Sequence, residues 1–301
     1  MFYKKLVKDL TDIGFEVNPY DPCVANMMVD GKQLTVTWHV DDLKISHEDK
    51  TVVDEFIQWI CNKYEDVTPV KPSRGKVHDY LGMTLDYSEA GKVKIHMKNY
   101  IEKMIEEFPY KNEVKGKTAF TPAADYLFKI NDDSPKLPKV KAEIFHTYVA
   151  KALFLCKCSR ADIQTATTFL CTRVKEPDEN DWKKLIRMLR YLHRSQDLEL
   201  TLEAKNLSVI EWWADASFAV HKDMKSHTGG IMKMGNGAIQ TISQKQKLNT
   251  KSSTEAELVG ADDITSHLIW TSNFLKHQGY EPKQPILYQD NTSAILLEKN
   301  G

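Results

Sequence analysis

The feature that most constrains the fold is the stretch 251–263, KSSTEAELVGADD, which predicts a helix with an acid on its inner face. Two overlapping Ser/Thr-x-x-Glu patterns, typical of helix starts, open this stretch: Ser252 with Glu255, and Thr254 with Glu257. An apolar or small face follows at steps of three and four residues: Leu258, Ala261, Thr265, Leu268, Ser272 and Leu275. Glu257 lies beside this face, where a carboxylate is costly without a positive partner. The helix therefore predicts a positively charged group near Glu257.

Two further acids follow strand-like runs on either side of this helix. Asp215 ends the run IEWWAD, and Asp290 ends the run ILYQD. The signals over 209–301 come in the order β-β-β-α-β-α, which is typical of a mixed α/β unit. We expect its first and fourth strands to be parallel neighbours joined by the crossover helix. This arrangement would bring Asp215, Glu257 and Asp290 together.

Carboxylates that meet in this way point to a metal site. Like charges raise one another's pKa, so the cluster is stable chiefly when cations bind to it. Oxygen ligands suit Mg²⁺ or Mn²⁺. Two such ions can activate a water and stabilise the leaving oxygen of a phosphodiester. The alternative is that each acid, taken alone, caps a strand or a helix at the surface.

Composition sets the class of protein. A chain of 301 residues with 42% hydrophobic and 28% charged residues is ordinary for a soluble globular protein of about two domains. A net charge of −1 gives no global signature of nucleic-acid binding, so any such surface must be local. The five cysteines form no Cys-x-x-Cys pair, which favours a reducing compartment. Without a signal peptide or an 18-residue apolar run, the sequence predicts a cytosolic or nuclear protein with no membrane partner.

The rest of the chain carries further helix and strand signals. Helical periodicity marks the stretches 2–13, 51–64, 98–108, 142–158, 159–174 and 179–194. Strands are predicted at 34–40, 43–45, 77–87, 93–97, 209–218, 228–234, 238–243 and 285–290, with a hairpin across Gly235-Asn236-Gly237. The stretch 121–141 holds three prolines and three aspartates and is the best linker candidate. We interpret Trp182, Trp212, Trp213 and Trp270 as core residues.

The sequence motifs around the three acids resemble those of a known family. WADAS, ISQKQK, SSTEAEL, LYQDNTSAI and KNG are similar, segment by segment, to the ribonuclease H domain of copia-type (pseudoviral) retrotransposon Pol polyproteins. The resemblance spans 209–301. It implies that Asp215, Glu257 and Asp290 are catalytic metal ligands for Mg²⁺ (or Mn²⁺), and that the reaction is hydrolysis of RNA in RNA–DNA hybrids. It also implies a fourth acid, preceded by a histidine-bearing loop, which we expect beyond residue 301.

The earlier chain resembles the same polyprotein. LTDIGFEVNPYDPCV, WHVDDLKIS, YLGMTLDY, YIEKMIEEF, TPA, RADI and LIRMLRYLHRSQDLELTL are similar to the end of the reverse-transcriptase palm, the thumb and the connection. The resemblance implies that Asp41 and Asp42 are catalytic, metal-binding aspartates on a palm hairpin, with His39 in place of the usual tyrosine. From the residues alone, two acids at a tight turn are more often only a turn. We expect the remaining palm aspartate upstream of Met1, and therefore no DNA synthesis from this chain alone.

Local basic patches are the candidates for contact with nucleic acid, because phosphate binding needs clustered positive charge. The first is a helical patch of Lys183, Lys184, Arg187, Arg190 and Arg194; the second contains Lys245, Lys247 and Lys251. The alternative is a solvated basic surface. Gln244, Gln246 and Asn291 are candidates for hydrogen bonds to ribose 2′-hydroxyls, or are ordinary surface amides.

These observations predict an α/β protein in three parts. Residues 1–120 would be a truncated palm end and thumb-like part, 121–206 a linker and helical connection, and 207–301 a truncated ribonuclease H-like domain with a mixed sheet. The expected partners are an RNA–DNA hybrid, template–primer nucleic acid, and the remaining Pol segments upstream and downstream. The expected location is the cytoplasm, in a virus-like particle, and/or the nucleus. The rival hypothesis is a catalytically dead, nucleic-acid-binding remnant of a degenerate retroelement, so whether the chain is an enzyme stays open.

Overall fold

The computed structural model describes residues 2–66, 69–205 and 207–300, and the chain divides into two compact units. Unit 1 comprises Met1–Leu81 and Ile269–Pro282, and unit 2 comprises Gly82–Leu268 and Lys283–Gly301. Both contain helices and sheets, so the predicted α/β class is confirmed. The predicted division into residues 1–120, 121–206 and 207–301 stays a prediction.

Unit 1 is built on a four-stranded antiparallel sheet. Its elements are α1 (Phe2–Asp12), β1 (Glu16–Val17), β2 (Val24–Val29), β3 (Lys32–His39), β4 (Asp42–Ser46), α2 (Lys50–Tyr64) and β5 (Val77–Tyr80). The sheet order is β1-β2-β3-β4. Alternate residues of β3, Leu34, Val36 and Trp38, are buried in one cluster with Leu10 of α1 and Phe56 of α2. The period of two along β3 therefore fixes which face of the sheet meets the helices.

Unit 2 has a helical core. Its helices before the last sheet are α3 (Lys98–Glu106), α4 (Lys111–Lys115), α5 (Lys139–Cys158), α6 (Gln164–Cys171) and α7 (Glu179–Arg194). α7 begins at a capping box, in which the side chains of Asp178 and Asp181 each accept from the other's backbone N–H. Arg173 pairs with both acids. The start of the most basic helix is thus fixed by buried charge pairs.

Two expectations for this region need correction. The helix predicted over 159–174 spans only Gln164–Cys171 and follows a 3-10 helix at Ala161–Ile163. The linker candidate 121–141 contributes Leu127 and Leu137 to the buried helical core, and its last residues already belong to α5. In unit 2 this proline-rich stretch is therefore packed rather than free.

Two sheets complete unit 2. Their strands are β6 (Met83–Asp86), β7 (Lys92–His96), β8 (Leu200–Ala204), β9 (Glu211–Ser217), β10 (His227–Lys233), β11 (Gly235–Asn236), β12 (Gln240–Lys245) and β13 (Ile286–Tyr288). In the first sheet β11, β8, β7 and β6 are successive antiparallel neighbours. The single strand predicted over 77–87 is broken, because Leu81 and Gly82 both adopt positive φ values, 51° and 77°. The second sheet has the order β12-β10-β9-β13.

The second sheet has the predicted topology. β9 and β13 are parallel neighbours, and α8 (Ser253–His277) lies between them in sequence; α9 (Thr292–Asn300) follows β13. The inner face of α8 agrees only in part with the predicted one: Ala261 and Leu275 are buried as expected, but Thr265 is exposed. The buried face also includes Ala256, Gly260 and Ile264. Trp212 is fully buried, as expected, but Trp213 points to the opposite face of β9 and is 37% exposed.

None of the helices within the described ranges combines the length and the apolar character that a membrane crossing requires.

Candidate metal centre

Two parallel strands deliver two of the three acids. The register pairs Tyr288 of β13 with Trp213 of β9. Asp215 and Asp290 each follow their paired residue by two positions, so they lie at the same end of the two strands. Because side chains alternate along a strand, Asp215 also shares a sheet face with Trp213. The strand order alone therefore places two carboxylates close together.

Helix α8 delivers the third acid. Ser252 accepts from the backbone N–H of Glu255 (3.2 Å), which opens the helix as the sequence predicted. Small residues let the helix approach the sheet closely. A Cβ added at Gly230 of β10 would lie only 2.7 Å from Cδ1 of Ile264, and one added at Gly260 would contact Ala216 at 3.5 Å. The second turn of α8, which carries Glu257, therefore rests near the end of β9.

The three acids come together. One carboxylate oxygen from each of Asp215, Glu257 and Asp290 lies within 4.8 Å of the others. Glu257 is 6% exposed, whereas Asp215 and Asp290 are exposed. Among the described residues, no second group of His, Cys, Asp or Glu side chains has this ligand-like spacing. The cluster has a buried inner acid and two outer acids that are open to solvent.

The electrostatics of the cluster are unfavourable without a cation. Burial raises the pKa of Glu257 above its usual value, and the neighbouring charges of Asp215 and Asp290 raise it further. Hydrogen bonds from Gln289 and from the backbone N–H of Ala216 act in the opposite direction. These two hydrogen bonds therefore favour the charged form of Glu257 against the effects of burial and of the two neighbouring acids.

Gln289 is a site residue that sequence reasoning missed. Its Nε2 donates to Oε2 of Glu257 (3.1 Å), and its Oε1 accepts from the backbone N–H of Asp290 (2.8 Å) and of Asn291 (3.1 Å). Asn291 in turn accepts from the N–H of Ala294 at the start of α9 (3.0 Å). The only available signal was the position of Gln289, directly before Asp290 at the end of a predicted strand.

The predicted polymerase pair lies in unit 1. The hairpin predicted at Asp41 and Asp42 is confirmed by the pairing of His39 with Asp42, but its two-residue turn is Val40-Asp41, because Asp42 is already the first residue of β4. Val40, in this turn, has a φ of 57°. Both aspartates are exposed, and neither belongs to a group of three potential metal ligands in the described part of the chain. The geometry of this turn carries no argument for catalysis by itself.

The basic residues of α7 are not one open surface. Lys184 is 6% exposed; its Nζ donates to the carbonyl of Lys129 (2.7 Å) and lies over the ring of Phe169. Burial lowers the pKa of Lys184. This ammonium is therefore not available to phosphate, and Lys184 departs from the role predicted for it.

The other predicted bases of α7 hold nearby segments or remain exposed. Arg187 donates to Thr121 (2.8 Å), Arg190 donates to the carbonyl of Glu113 (2.8 Å), and Arg194 lies over the ring of Phe120. Lys183 is exposed. The helix therefore keeps a basic outer surface, but two of its arginines also fasten the chain between α4 and α5.

The second predicted patch, beside α8, is mixed. Lys245 pairs with Asp223 (2.7 Å), and Lys247 and Lys251 are exposed. Gln246 is 1% exposed and donates to Thr228 and to the carbonyl of Ala256. Gln246 is therefore part of the packing between β12 and α8 and cannot reach a ribose.

A buried histidine pair lies near the same end of the sheet as the acids, because His227 pairs with Ser217 at the end of β9. Nε2 of His221 lies 3.1 Å from Nδ1 of His227, and Nε2 of His227 lies 2.7 Å from Oγ of Ser243. Phe128 packs against both rings. Burial lowers the pKa of His227 to about 4. Both imidazoles are thus structural and uncharged at neutral pH, and they supply no positive charge to the acids.

The fold and the site define an α/β protein with a candidate divalent-metal centre on a mixed sheet. The homologues of the chain are retrovirus-related Pol polyproteins of copia-like transposons, which align over nearly its whole length at 25–27% identity. No family model and no solved structure matches the chain.

Three relatives illustrate the match. The chain is 27% identical to the retrovirus-related Pol polyprotein from transposon TNT 1-94 of Nicotiana tabacum, over 93% of the chain and 21% of that protein. It is 26% identical to the Pol polyprotein from transposon RE1 of Arabidopsis thaliana, over 99% of the chain and 20% of that protein. It is 25% identical to the transposon Ty5-1 protein of Saccharomyces cerevisiae, over 76% of the chain and 72% of that protein. The chain thus spans about a fifth of the two plant relatives, and the homology supports a retrotransposon Pol fragment.

Proposed function

We propose that this chain carries out metal-dependent hydrolysis of RNA in RNA–DNA hybrids, with Asp215, Glu257 and Asp290 as the metal ligands. The observation that carries the proposal is the approach of the three carboxylates to within 4.8 Å of one another. The kinship with retrotransposon Pol polyproteins supports this substrate class, because such elements must remove RNA from a hybrid with DNA.

The residues present fit Mg²⁺ or Mn²⁺. All three ligand groups are carboxylates, the hard oxygen donors that these ions prefer. Burial and like charge at Glu257 are unfavourable alone, and a divalent cation offsets both. Asp215, Glu257 and Asp290 would hold the cation, which would supply Lewis-acid activation of water and neutralise charge developing on the phosphodiester.

The side chains have distinct tasks under this proposal. Glu257, held by Gln289 and Ala216, forms the fixed inner wall of the site. Asp215 and Asp290 are exposed and face the side from which a hybrid would enter. Exposed bases such as Lys183 and Lys247 would contact phosphates without regard to sequence. The expected partners remain template–primer nucleic acid and the remaining Pol segments. The expected location remains a cytoplasmic particle or the nucleus.

The test is cleavage of a labelled RNA–DNA hybrid in Mg²⁺ or Mn²⁺. We expect the chain to cleave the RNA strand, and Asp215→Asn, Glu257→Gln and Asp290→Asn each to abolish cleavage. Asp262→Asn is the matched control, because Asp262 is an exposed acid of α8 outside the cluster. It should cleave like the wild type.

The rival hypothesis gives a different result. A dead remnant would bind the hybrid in a salt-dependent manner, yet the folded wild type and Asp215→Asn would show the same absence of cleavage. That outcome would reject the enzymatic proposal for this chain. Cleavage that survives in all three acid variants would reject the assignment of the site.

A further inference from the structure

The side chain of Gln289 links Glu257 to the segment that carries Asp290. Its amide nitrogen donates to Oε2 of Glu257 on α8 (3.1 Å). Its amide oxygen accepts from the N–H groups of Asp290 and Asn291 (2.8 and 3.1 Å), which lie between β13 and α9. One amide therefore fixes both the inner acid and the backbone that carries an outer acid.

We propose that Gln289 is a positioning residue, which holds Glu257 and Asp290 at the separation needed to receive a divalent cation. This inference rests on the proposed function, because it presumes that the cluster binds metal. Glu257 lies within 4.8 Å of two like charges, and apart from Gln289 it is held by the backbone N–H of Ala216, so loss of the Gln289 amide would leave its flexible carboxylate with one tether instead of two. The hydrogen bond from Gln289 keeps the Glu257 carboxylate in place before the cation arrives.

The chemistry of an amide is specific to this task. A glutamine donates through Nε2 and accepts through Oε1 at the same time, and the structure uses both functions. A glutamate could accept from the two backbone N–H groups but could not donate to Glu257 when charged. A leucine could do neither. Glutamate has the length of glutamine and keeps only the acceptor, whereas leucine, one atom shorter, removes both functions, so the two substitutions separate the donor from the acceptor.

The expected effect is on metal affinity. Without the tether, cation binding must also order the Glu257 side chain, and ordering one long side chain weakens binding by about 3- to 10-fold. We therefore expect Gln289→Leu to weaken Mn²⁺ binding by that factor and to reduce the rise in melting temperature that Mn²⁺ produces. Gln289→Glu adds a carboxylate against Glu257, so it should lower the melting temperature in EDTA and enlarge the rise produced by Mn²⁺.

The experiment titrates the full chain with Mn²⁺ and follows free Mn²⁺ by electron paramagnetic resonance, with thermal unfolding in EDTA and in Mn²⁺ alongside. Circular dichroism checks the fold of each variant, and Gln284→Leu is the control, since Gln284 is an exposed glutamine five residues upstream. If Gln289→Leu does not fold, Gln289→Met, which has the length of glutamine and lacks both hydrogen-bonding functions, carries the test: weaker Mn²⁺ binding than wild type supports the positioning role, and unchanged binding rejects it.

The outcomes separate this inference from the proposed function. If the wild type binds Mn²⁺ and both Gln289 variants behave like it, Gln289 serves only the turn before α9, and the positioning role is rejected while the metal site stands. If the wild type and Asp215→Asn alike fail to bind Mn²⁺, the metal site itself is rejected, and this inference falls with it.

Discussion

Replacing Asp215 by asparagine should stabilise the metal-free protein, and the same substitution should leave it less stable than wild type once a divalent cation is present. The oxygens of Asp215, Glu257 and Asp290 lie within 4.8 Å of one another, so the metal-free state holds three mutually repelling pairs. Asp215→Asn removes two of these pairs and preserves the shape of the side chain. It also removes one ligand of the cation.

The magnitude follows from the geometry. Two unit charges 4.8 Å apart repel by about 0.9 kcal/mol in water, and physiological salt roughly halves this value. Two relieved pairs therefore amount to about 1–2 kcal/mol of added stability in EDTA. In contrast, a cation at a hundred times its dissociation constant stabilises the wild type by about 2.7 kcal/mol. The wild type gains this stabilisation, whereas the variant, which lacks one ligand, gains little of it. With the cation present, the wild type is therefore the more stable protein.

The assay is native-state hydrogen exchange of the α8 and β9 amides in urea, in EDTA and again in Mg²⁺. Local exchange reports the stability of unit 2 without assuming one unfolding transition for both units. Asp262→Asn, on the exposed side of α8, should have the stability of the wild type both in EDTA and in Mg²⁺. High salt should shrink the gain in EDTA, because screening weakens the repulsion.

A specific result would refute this reasoning. If Asp215→Asn is less stable than wild type in EDTA, and by the same margin in Mg²⁺, then Asp215 makes a structural contact and the carboxylates are not a cation site. Equal stability of the two proteins in both conditions would show that the three acids are too well solvated to interact.

Three further predictions follow from the packing of unit 2. Gly230→Ala should cost about 1–3 kcal/mol, because the new Cβ meets Ile264 at 2.7 Å, and Ile264→Val should recover part of the loss in melting temperature. The folded-state pKa of His227, about 4, lies below its ordinary value, so stability should fall as the pH drops from 6.5 towards 4, and urea midpoints should show a smaller fall in His227→Gln. Lys183→Ala should weaken nucleic-acid binding and reduce its salt dependence by about one phosphate contact, whereas Lys184→Ala should lower stability and leave the salt dependence unchanged.

Each of these has a contradicting result. Gly229→Ala is the control for Gly230, since its added Cβ would make only an ordinary contact of 3.7 Å, and an equal loss in both variants would point to backbone entropy instead. An unchanged acid response in His227→Gln would mean that other groups govern it. A changed salt dependence in Lys184→Ala would mean that its ammonium leaves the carbonyl of Lys129 to bind phosphate.

The framework of the site could be predicted because it depends on strong local rules. The apolar runs before Asp215 and Asp290 mark strands, the capped stretch at Ser252 marks a helix, and a crossover helix makes the two strands parallel. Parallel strands end at the same edge, so the acids at their ends must be close. The hairpin around Asp41 was predictable for the same reason, since a two-residue turn between strands is a local signal, although the turn lies one residue earlier than predicted, at Val40-Asp41.

Side-chain environments could not be predicted in the same way, because distant segments create them. Lys184 was indistinguishable from Lys183 in a basic helix, and only the carbonyl of Lys129 and the ring of Phe169 make its burial possible. Likewise, the inner face of α8 was assigned to Thr265 instead of Ile264, because the helix periodicity does not reveal that Gly230 opens space for Ile264.

Gln246 and Gln289 show where this limit affects function. Both are glutamines next to strand ends, and in the sequence both resemble surface amides. Gln246 is buried against Thr228 and Ala256, and so is withdrawn from any ligand, whereas Gln289 binds Glu257 directly. An amide is equally able to satisfy a packed helix or to hold a carboxylate, and its neighbours in space decide which. In this chain the three carboxylates could therefore be predicted from sequence, but the hydrogen bonds that join Gln289 to Glu257 and to the backbone of Asp290 could be found only from the geometry.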